Sequence, residues 1–377
     1  MVLAGISLLS YFTFIIVKSS DTNNTEVKLP KIVAPKKVAK DKRVKLVAVG
    51  DMLIHDTIYN DFRIGSSDTF DFRPAFQYVK PIIEKADFAA VNEETPLGGV
   101  ALGLSGLYVA NSPQELGDAL ADTGFNLIQL ANNHTYDRRL AGIEATANFW
   151  QKYKSTAITS GAYLDQASRD KTPILEKNGI KLAFLNYTYG SNLGNPPNSY
   201  NLNLINRDLI AKDIAMAKTQ ADVIVVAIHW GIERDRQESA SQRDLAQFLA
   251  NQGADIIYGT HPHVLQPPEW LTRPDGKKTY CMYSLGNFLS IHTELIPHTL
   301  TGAIMGLGIV KNASGKITLE NPNAVLTWNY YTPTETGFRV IPFSQLTQSQ
   351  YRFGDVNKLK DSYQQFLSQR VPEITFQ

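Results

Sequence analysis

The stretch "ADIIYGTHPH", residues 254–263, joins an apolar run of strand length to two histidines that lie two positions apart. A short apolar run that ends at a turn residue, here Gly259, is typical of a buried strand. Histidine is scarce in this chain, with 7 in 377 residues, and a fold does not need two at the end of one strand. Their position therefore indicates a binding site at this strand end.

Four other apolar runs end in polar residues in the same way. They are "VKLVAVGD" (44–51), "FAAVNEE" (88–94), "FNLIQLANNH" (125–134) and "DVIVVAIHWG" (222–231). Helix-like stretches lie between the runs, at 112–122, 139–153, 206–219 and 239–252. Strands that alternate with helices predict an α/β fold. Short strands joined by turns follow residue 280, so we expect α/β layers plus a second sheet within one domain, residues 44–377.

The five strand ends carry side chains that bind metals in proteins. These are Asp51, Glu94, Asn133, His134, His229, His261 and His263. Taken singly, an aspartate there is more often a turn residue or helix cap, and a histidine more often a structural residue. Their coincidence at the carboxyl ends of strands, where α/β sheets bind ligands, favours one shared site. Imidazole with carboxylate and amide oxygens suits Mn, Fe or Zn, and a pair of divalent cations needs a bridging carboxylate.

The overall charge and the cysteine content exclude some classes of protein. The chain has 37 basic and 36 acidic residues, a net charge of +1, so we expect no nucleic-acid partner. Cys281 is the sole cysteine, which rules out a disulfide within the chain. Its apolar neighbours predict a buried, inert thiol.

The N-terminal segment has the composition of a membrane anchor. Residues 2–17, "VLAGISLLSYFTFIIV", carry no charge, and we expect residues 1–18 to form an uncleaved signal anchor, with a cleaved signal peptide as the alternative. Residues 19–43 are polar, lysine-rich and interrupted by prolines, which predicts a flexible tether. The predicted location is the cell membrane, single-pass, with an extracellular globular domain, although the lysines would favour a cytoplasmic C-terminus under the positive-inside rule.

Six motifs occur in the order of a known protein family. They are "GDMLIHD" (50–56), "VNEETPL" (91–97), "ANNHTYD" (131–137), "AIHWGIE" (227–233), "GTHPHVLQP" (259–267) and "YSLGNFL" (283–289). In these motifs the chain resembles the CapA-type capsule-biosynthesis family, which includes PgsA-like proteins of bacterial poly-γ-glutamate synthesis. The resemblance covers roughly residues 44–292 and is specific for the family, much less so for the reaction.

The resemblance implies a fold and a role for each motif residue. The fold would be the four-layer α/β/β/α sandwich of the calcineurin-like metallophosphoesterases. Asp51 and His263 would bind a first metal, and Glu94 would bridge two metals. A second metal would be bound by Asn133, His229 and His261. His134 would be the general acid, held by a carboxylate such as Asp137, and Asn287 would line the pocket.

The sequence departs from the metallophosphoesterase pattern at the first metal. That pattern opens with Asp-x-His, but the third position here is Leu53, and whether His55 replaces the ligand depends on local geometry. Among the remaining residues, Arg234 could receive an anionic substrate or lie in a solvated loop. His292 and His298 lie outside the strand-end pattern, so we expect them at the surface or behind the ligands.

Three functions follow from these observations. The first is a hydrolase with two divalent cations, Mn, Fe or Zn, acting on a phosphoester or related bond in an envelope polymer or its precursor. The second is a non-catalytic accessory subunit of a polymer synthesis or export complex. The third is a metal-free scaffold. The expected partners are an anionic envelope polymer or precursor, the membrane and other subunits of a synthesis complex.

Overall fold

The computed structural model describes residues 40–377 apart from residues 107, 293 and 295. The predicted anchor, residues 1–18, and the tether up to residue 39 lie outside the described residues. Within the described part of the chain, no helix combines the length and the apolar character needed to cross a membrane.

The strands follow one another along the chain with short connections in the second half. In chain order they are β1 Lys42–Met52, β2 Phe88–Glu93, β3 Leu127–Gln129, β4 Ile158–Ser160, β5 Ile174–Lys177, β6 Ile180–Thr188, β7 Val223–His229, β8 Ile256–Thr260, β9 Leu265–Gln266, β10 Glu269–Thr272, β11 Lys278–Met282, β12 Ser284–Leu285, β13 Asn287–Leu289, β14 Thr301–Lys311, β15 Ile317–Tyr330, β16 Arg339–Pro342 and β17 Thr375–Phe376. The apolar run of residues 254–263 therefore forms β8 and the turn that follows it.

The helices lie mostly in the first two thirds of the chain. They are α1 Asp56–Asp61, α2 Arg73–Phe76, α3 Lys80–Ile83, α4 Glu115–Thr123, α5 Arg139–Trp150, α6 Gln166–Arg169, α7 Arg207–Ala217, α8 Ala240–Gln252 and α9 Val356–Leu367. Helix α8 shows how the local sequence sets such bounds. It begins with a capping box between Ser239 and Gln242, and it ends at Gly253, whose φ of 102° favours glycine.

Two mixed sheets form the framework of the described residues. The first has nine strands in the order β16-β15-β14-β1-β2-β3-β4, with β13 paired to β1 and β17 to β15. The second has six strands in the order β10-β11-β8-β7-β6-β5. Strands β1 to β4 run parallel to one another, and so do β6, β7, β8 and β11. Parallel strands bring their carboxyl ends to the same edge of each sheet.

The second sheet is buried on both faces. Tyr258 packs in a core that it shares with first-sheet residues such as Leu46. Ile257, the preceding residue on the same strand, packs in a second core with Leu249 of α8. Alternate side chains of a strand point to opposite faces, so one face of this sheet meets the first sheet and the other is covered by α7 and α8.

The predicted second sheet exists, but the prediction of its strands was wrong. We expected the strands after residue 280 to form it, whereas β14, β15 and β16 extend the first sheet, where β14 pairs antiparallel with β1. The second sheet is formed instead by strands between residues 174 and 282. Pairing between β1 and β14 joins segments about 260 residues apart, and local patterns carry no signal for it. Strand β1 also begins at Lys42, inside the predicted tether.

Candidate metal centre

The carboxyl ends of the parallel strands bring polar side chains into a buried cluster. Asp51 lies in β1, Glu94 follows β2, and His229 ends β7. All three residues are completely buried, with exposed fractions of 0%. Two carboxylates and an imidazole without access to water require a compensating partner.

The turn after β8 presents two more imidazoles to this cluster. His261 and His263 have φ values of 100° and 58°, a region that costs a non-glycine residue about 1–3 kcal/mol. The turn is held from outside, because the backbone N–H of Arg234 donates to the carbonyl oxygen of Pro262 at 2.7 Å. Both rings are buried, at 5% and 2% exposure. The strained turn thus fixes two histidines in the interior.

Two sets of three side chains have the spacing of metal ligands. One is Glu94, His229 and His261, and the other is Asp51, Glu94 and His263; in each set the ligand atoms lie within 4.8 Å of one another. Glu94 belongs to both sets. Its Oε1 lies 3.4 Å from Nε2 of His229 and 3.7 Å from Nε2 of His263. The carboxylate therefore occupies the position from which it could bridge two cations.

Asn133 joins the set around His229. Its Oδ1 lies 3.0 Å from Nε2 of His229, while Nδ1 of the same ring lies 2.9 Å from the Thr260 hydroxyl. A contact of this kind behind a ligand fixes the orientation of the ring. The amide oxygen of Asn133 and Nε2 of His229 thus face the same point.

Asn92 holds the two carboxylates together. Its Nδ2 donates to Oδ1 of Asp51 at 2.8 Å and to Oε2 of Glu94 at 3.1 Å. Sequence reasoning missed this residue, although it lies two positions before Glu94 and so shares its face of the strand. Glu93 points elsewhere, as strand alternation predicts, and accepts a hydrogen bond from Nε1 of Trp150 at 2.8 Å.

Asn287 lies against His263, on the side away from Glu94. Its Oδ1 is 3.0 Å from Nδ1 of His263, and its Nδ2 donates to the carbonyl oxygen of Thr299 at 2.8 Å. Nδ1 of His263 also lies 3.1 Å from Oδ2 of Asp51. Asn287 thus orients a candidate ligand, whereas the sequence analysis placed it at the substrate.

The chemistry of the cluster fits divalent cations. Oε1 of Glu94 and Nδ1 of His261 are buried and have no hydrogen-bond partner among the described residues. Burial, together with the charge of Asp51, raises the pKa of Glu94 well above its usual range. Burial, followed by the neighbouring His263, lowers the pKa of His261 to about 3. Imidazole nitrogens beside crowded carboxylates suit a cation of the Mn, Fe or Zn type, whose charge would offset both carboxylates.

His134 and Asp137 form a hydrogen-bonded pair beside the cluster. Nδ1 of His134 lies 2.6 Å from Oδ2 of Asp137, which also accepts the backbone N–H of Ala110 at 2.6 Å. The His134 side chain is 12% exposed and the Asp137 side chain 0%. A buried carboxylate at Nδ1 leaves Nε2 of the ring as the nitrogen available for chemistry.

Four residues that the sequence analysis discussed lie outside the two ligand sets, and each has its own contacts. Arg234, proposed from the sequence to bind substrate, forms ion pairs with Glu233 and Glu294. His55 is buried with both ring nitrogens unpartnered among the described residues, yet it belongs to none of the ligand sets. His292, expected at the surface or behind the ligands, has its ring centroid 4.8 Å from that of His263. Leu53 is buried, and its aliphatic side chain has no atom that could bind a metal in place of the missing histidine.

Two further residues, Tyr189 and Glu233, lie near the cluster. The ring of Tyr189 lies 4.8 Å from that of His261 and is half exposed. Glu233 forms a third set of ligand atoms with His261 and His263, again within 4.8 Å. Tyr189 lies just after a strand, in "NYTYG", and Glu233 is the last residue of the motif "AIHWGIE".

These observations define an α/β protein of two mixed sheets with a candidate two-cation centre at the carboxyl ends of its strands. The chain belongs to the family described as "Bacterial capsule synthesis protein PGA_cap", which matches residues 45–292. The resemblance to CapA-type proteins is thereby confirmed.

Two curated relatives carry capsule-related names. One is the "PGA biosynthesis protein CapA" of Bacillus subtilis (strain 168), 30% identical over 246 residues, which covers 64% of this chain and 62% of the relative. The other is the "Capsule biosynthesis protein CapA" of Bacillus anthracis, 28% identical over 281 residues, 70% of this chain and 64% of the relative. The chain thus spans a little under two thirds of the length of these relatives.

Solved structures with a related chain path are more distant. A calcineurin-like phosphoesterase, YfkN of Bacillus subtilis, has a TM-score of 0.39 at 14% identity, with coverage of 87% of this chain and 98% of that chain. The NAD nucleotidase NadN of Haemophilus influenzae has a TM-score of 0.44 at 11% identity, with coverage of 90% and 58%. Scores at this level carry no inference about function.

Proposed function

We propose that this protein is a metal-dependent hydrolase of capsule or envelope polymer biosynthesis, built on a metallophosphoesterase-like sandwich. The observation that carries the proposal is the position of Glu94, which belongs to both ligand sets and whose Oε1 lies 3.4 Å from His229 and 3.7 Å from His263. A carboxylate that joins two sets of mixed nitrogen and oxygen ligands is the arrangement of a two-cation hydrolytic site.

The bound cations would supply a nucleophilic hydroxide near neutral pH and would polarise the bond to be broken. Residues of the chain would orient the metal ligands and supply the proton. Asn92 and Thr260 keep the ligands Asp51, Glu94 and His229 oriented. His134, whose Nδ1 is held by Asp137, would donate a proton from Nε2 to a leaving oxygen.

The proposed substrate is a phosphoester or related bond in an anionic envelope polymer or its precursor. The proposed setting is the cell membrane, with an N-terminal anchor, an extracellular domain and other subunits of a polymer synthesis complex. The capsule-related names of the two Bacillus relatives and the uncharged run of residues 2–17 support this setting.

A non-catalytic accessory role is the second candidate, and one observation favours it. The side of the centre around Asp51 and His263 has three candidate ligands, because Leu53 stands where metallophosphoesterases have a histidine. A site that binds one cation weakly could bind a polyanion without turnover.

Turnover distinguishes the two roles. The purified chain is loaded with Mn²⁺ or Zn²⁺ and assayed with nitrophenyl phosphate esters and a γ-glutamyl polymer, beside His229→Ala and the control His298→Ala. His298 lies away from the ligand sets and contacts Tyr363, so its loss should leave turnover unchanged. Metal-dependent turnover that disappears in His229→Ala supports the hydrolase. Metal binding without turnover of any of these substrates would favour the accessory role.

A further inference from the structure

Glu233 lies at the mouth of the candidate metal centre, in the loop that follows β7. A carboxylate oxygen of Glu233 and one nitrogen each of His261 and His263 lie within 4.8 Å of one another. The Glu233 side chain is 45% exposed, whereas both histidines are buried. The Glu233 carboxylate is therefore partly open to solvent, whereas Asp51 and Glu94 are completely buried.

The numbers of candidate ligands on the two sides of Glu94 are unequal. The side of His229 and His261 also has Asn133, which with Glu94 makes four protein ligands. The side of Asp51 and His263 has three candidate protein ligands when Glu94 is included. Cations of this type commonly have four or more ligands, of which one at a catalytic site is water, so the side of Asp51 and His263 has room for a further protein ligand. Glu233 is the carboxylate outside these two sets that reaches His263 in the described part of the chain.

The backbone fixes the loop of Glu233 to the histidine turn. The N–H of Arg234, the next residue, donates to the carbonyl oxygen of Pro262 at 2.7 Å, between the two histidines. Arg234 has a φ of 64°, which bends the chain at this point. A movement of the turn therefore moves Glu233 with it.

The ion pair with Arg234, which would compete with a cation for Glu233, is weak. Nη2 of Arg234 lies 3.5 Å from Oε2 of Glu233, and both side chains are more than a third exposed. Exposed ion pairs of this kind contribute about 0–1 kcal/mol, much less than a bond to a divalent cation. Arg234 also has a second carboxylate partner in Glu294, so the release of Glu233 does not leave the guanidinium unpaired.

We propose that Glu233 is the fourth protein ligand of the first cation and replaces the histidine that is absent at Leu53. The inference rests on the proposed two-cation centre. It assigns the missing coordination position to a solvent-side carboxylate and not to His55, which belongs to no ligand set.

The test measures metal binding by the purified full-length chain in detergent. Mn²⁺ titrations, followed by calorimetry and by electron paramagnetic resonance, are compared for wild type, Glu233→Gln and the control Glu294→Gln. The control removes the same charge from the other carboxylate partner of Arg234. For wild type we expect about two Mn²⁺ ions per chain. In Glu233→Gln we expect one site to keep its affinity and the other to weaken by about tenfold or more.

The outcomes separate the two proposals. Two sites of unchanged affinity in Glu233→Gln, as in Glu294→Gln, would overturn the role of Glu233 and leave the two-cation centre standing. A wild-type chain that binds no Mn²⁺ would overturn both. Equal weakening in both variants would identify an effect of surface charge and would also refute the assignment of Glu233 as a ligand.

Discussion

Replacement of Asn92 by leucine tests the polar framework of the site without touching a candidate ligand. The two side chains have similar volumes, so the change removes hydrogen bonds more than packing. Asn92 donates to Asp51 at 2.8 Å and to Glu94 at 3.1 Å, and all three residues are completely buried. We expect Asn92→Leu to unfold more readily and to bind metal less tightly.

The magnitude follows from the charge state of each acceptor. Burial and the charge of Asp51 raise the pKa of Glu94 well above its usual range, and we count the hydrogen bond from Asn92 to this carboxyl at the value for neutral groups, about 1 kcal/mol. The bond to the Asp51 carboxylate counts as charge-assisted, about 1.5–3 kcal/mol. Oδ1 of Asn92 also accepts a hydrogen bond from Nδ2 of Asn132 at 3.2 Å, worth about 1 kcal/mol more, so the free energy of unfolding should fall by about 4 kcal/mol. Loss of a group that orients ligands should weaken metal binding about 10- to 100-fold.

The assay is urea unfolding in EDTA, followed by Mn²⁺ titration of the folded protein. The matched control is Gln166→Leu, which removes an exposed hydrogen bond from a side-chain amide to Asp170 at 2.8 Å. The control should change the free energy of unfolding by less than about 0.5 kcal/mol. An equally small change in Asn92→Leu, with unaltered Mn²⁺ affinity, would refute the proposed framework.

Three other perturbations have expected outcomes. Burial, followed by His263, lowers the pKa of His55 from 6.5 to about 4, so the unfolded chain takes up a proton that the folded one does not. The free energy of unfolding of the metal-free protein should therefore fall as the pH falls from 6.5 to about 4, by up to about 1.4 kcal/mol per pH unit from this residue. His55→Gln should reduce that slope in urea titrations, and an unchanged slope would contradict the assignment. His134→Gln should lower turnover about 10²- to 10⁴-fold while elemental analysis finds the metal retained, and metal loss would contradict the role of a general acid. Gly259→Ala would place a Cβ atom 2.1 Å from the carbonyl oxygen of Tyr283 and should destabilise the fold strongly in thermal melts, whereas Gly190→Ala, with open space around it, should not.

The residues at the strand ends were easier to predict from the sequence than the order in which the strands pair. Five apolar runs with polar ends indicated strands that converge at their carboxyl ends, and Asp51, Glu94, His229, His261 and His263 do lie together. The strands that bring these side chains together were predictable because a buried parallel strand has a clear local pattern. No local pattern pairs β14 with β1, because that contact depends on how the whole chain closes.

Residues that act through three-dimensional proximity were harder to predict. Asn92 read as an ordinary polar residue at a strand end, although its amide joins two carboxylates. His292 follows β13, which pairs with β1 beside Asp51, and only that pairing brings its ring near His263. Glu233 reaches the centre because one backbone hydrogen bond holds its loop against Pro262. Each of these contacts joins segments far apart in the sequence.

Anomalous X-ray scattering from a crystal of the Mn²⁺-loaded protein tests the central claim most directly. We predict two anomalous peaks about 3.5–4 Å apart on either side of the Glu94 carboxylate. One should lie beside His229 and His261, and the other beside Asp51 and His263. The absence of any peak at Glu94, or a single peak that leaves either ligand set empty at saturating Mn²⁺, would contradict a two-cation centre.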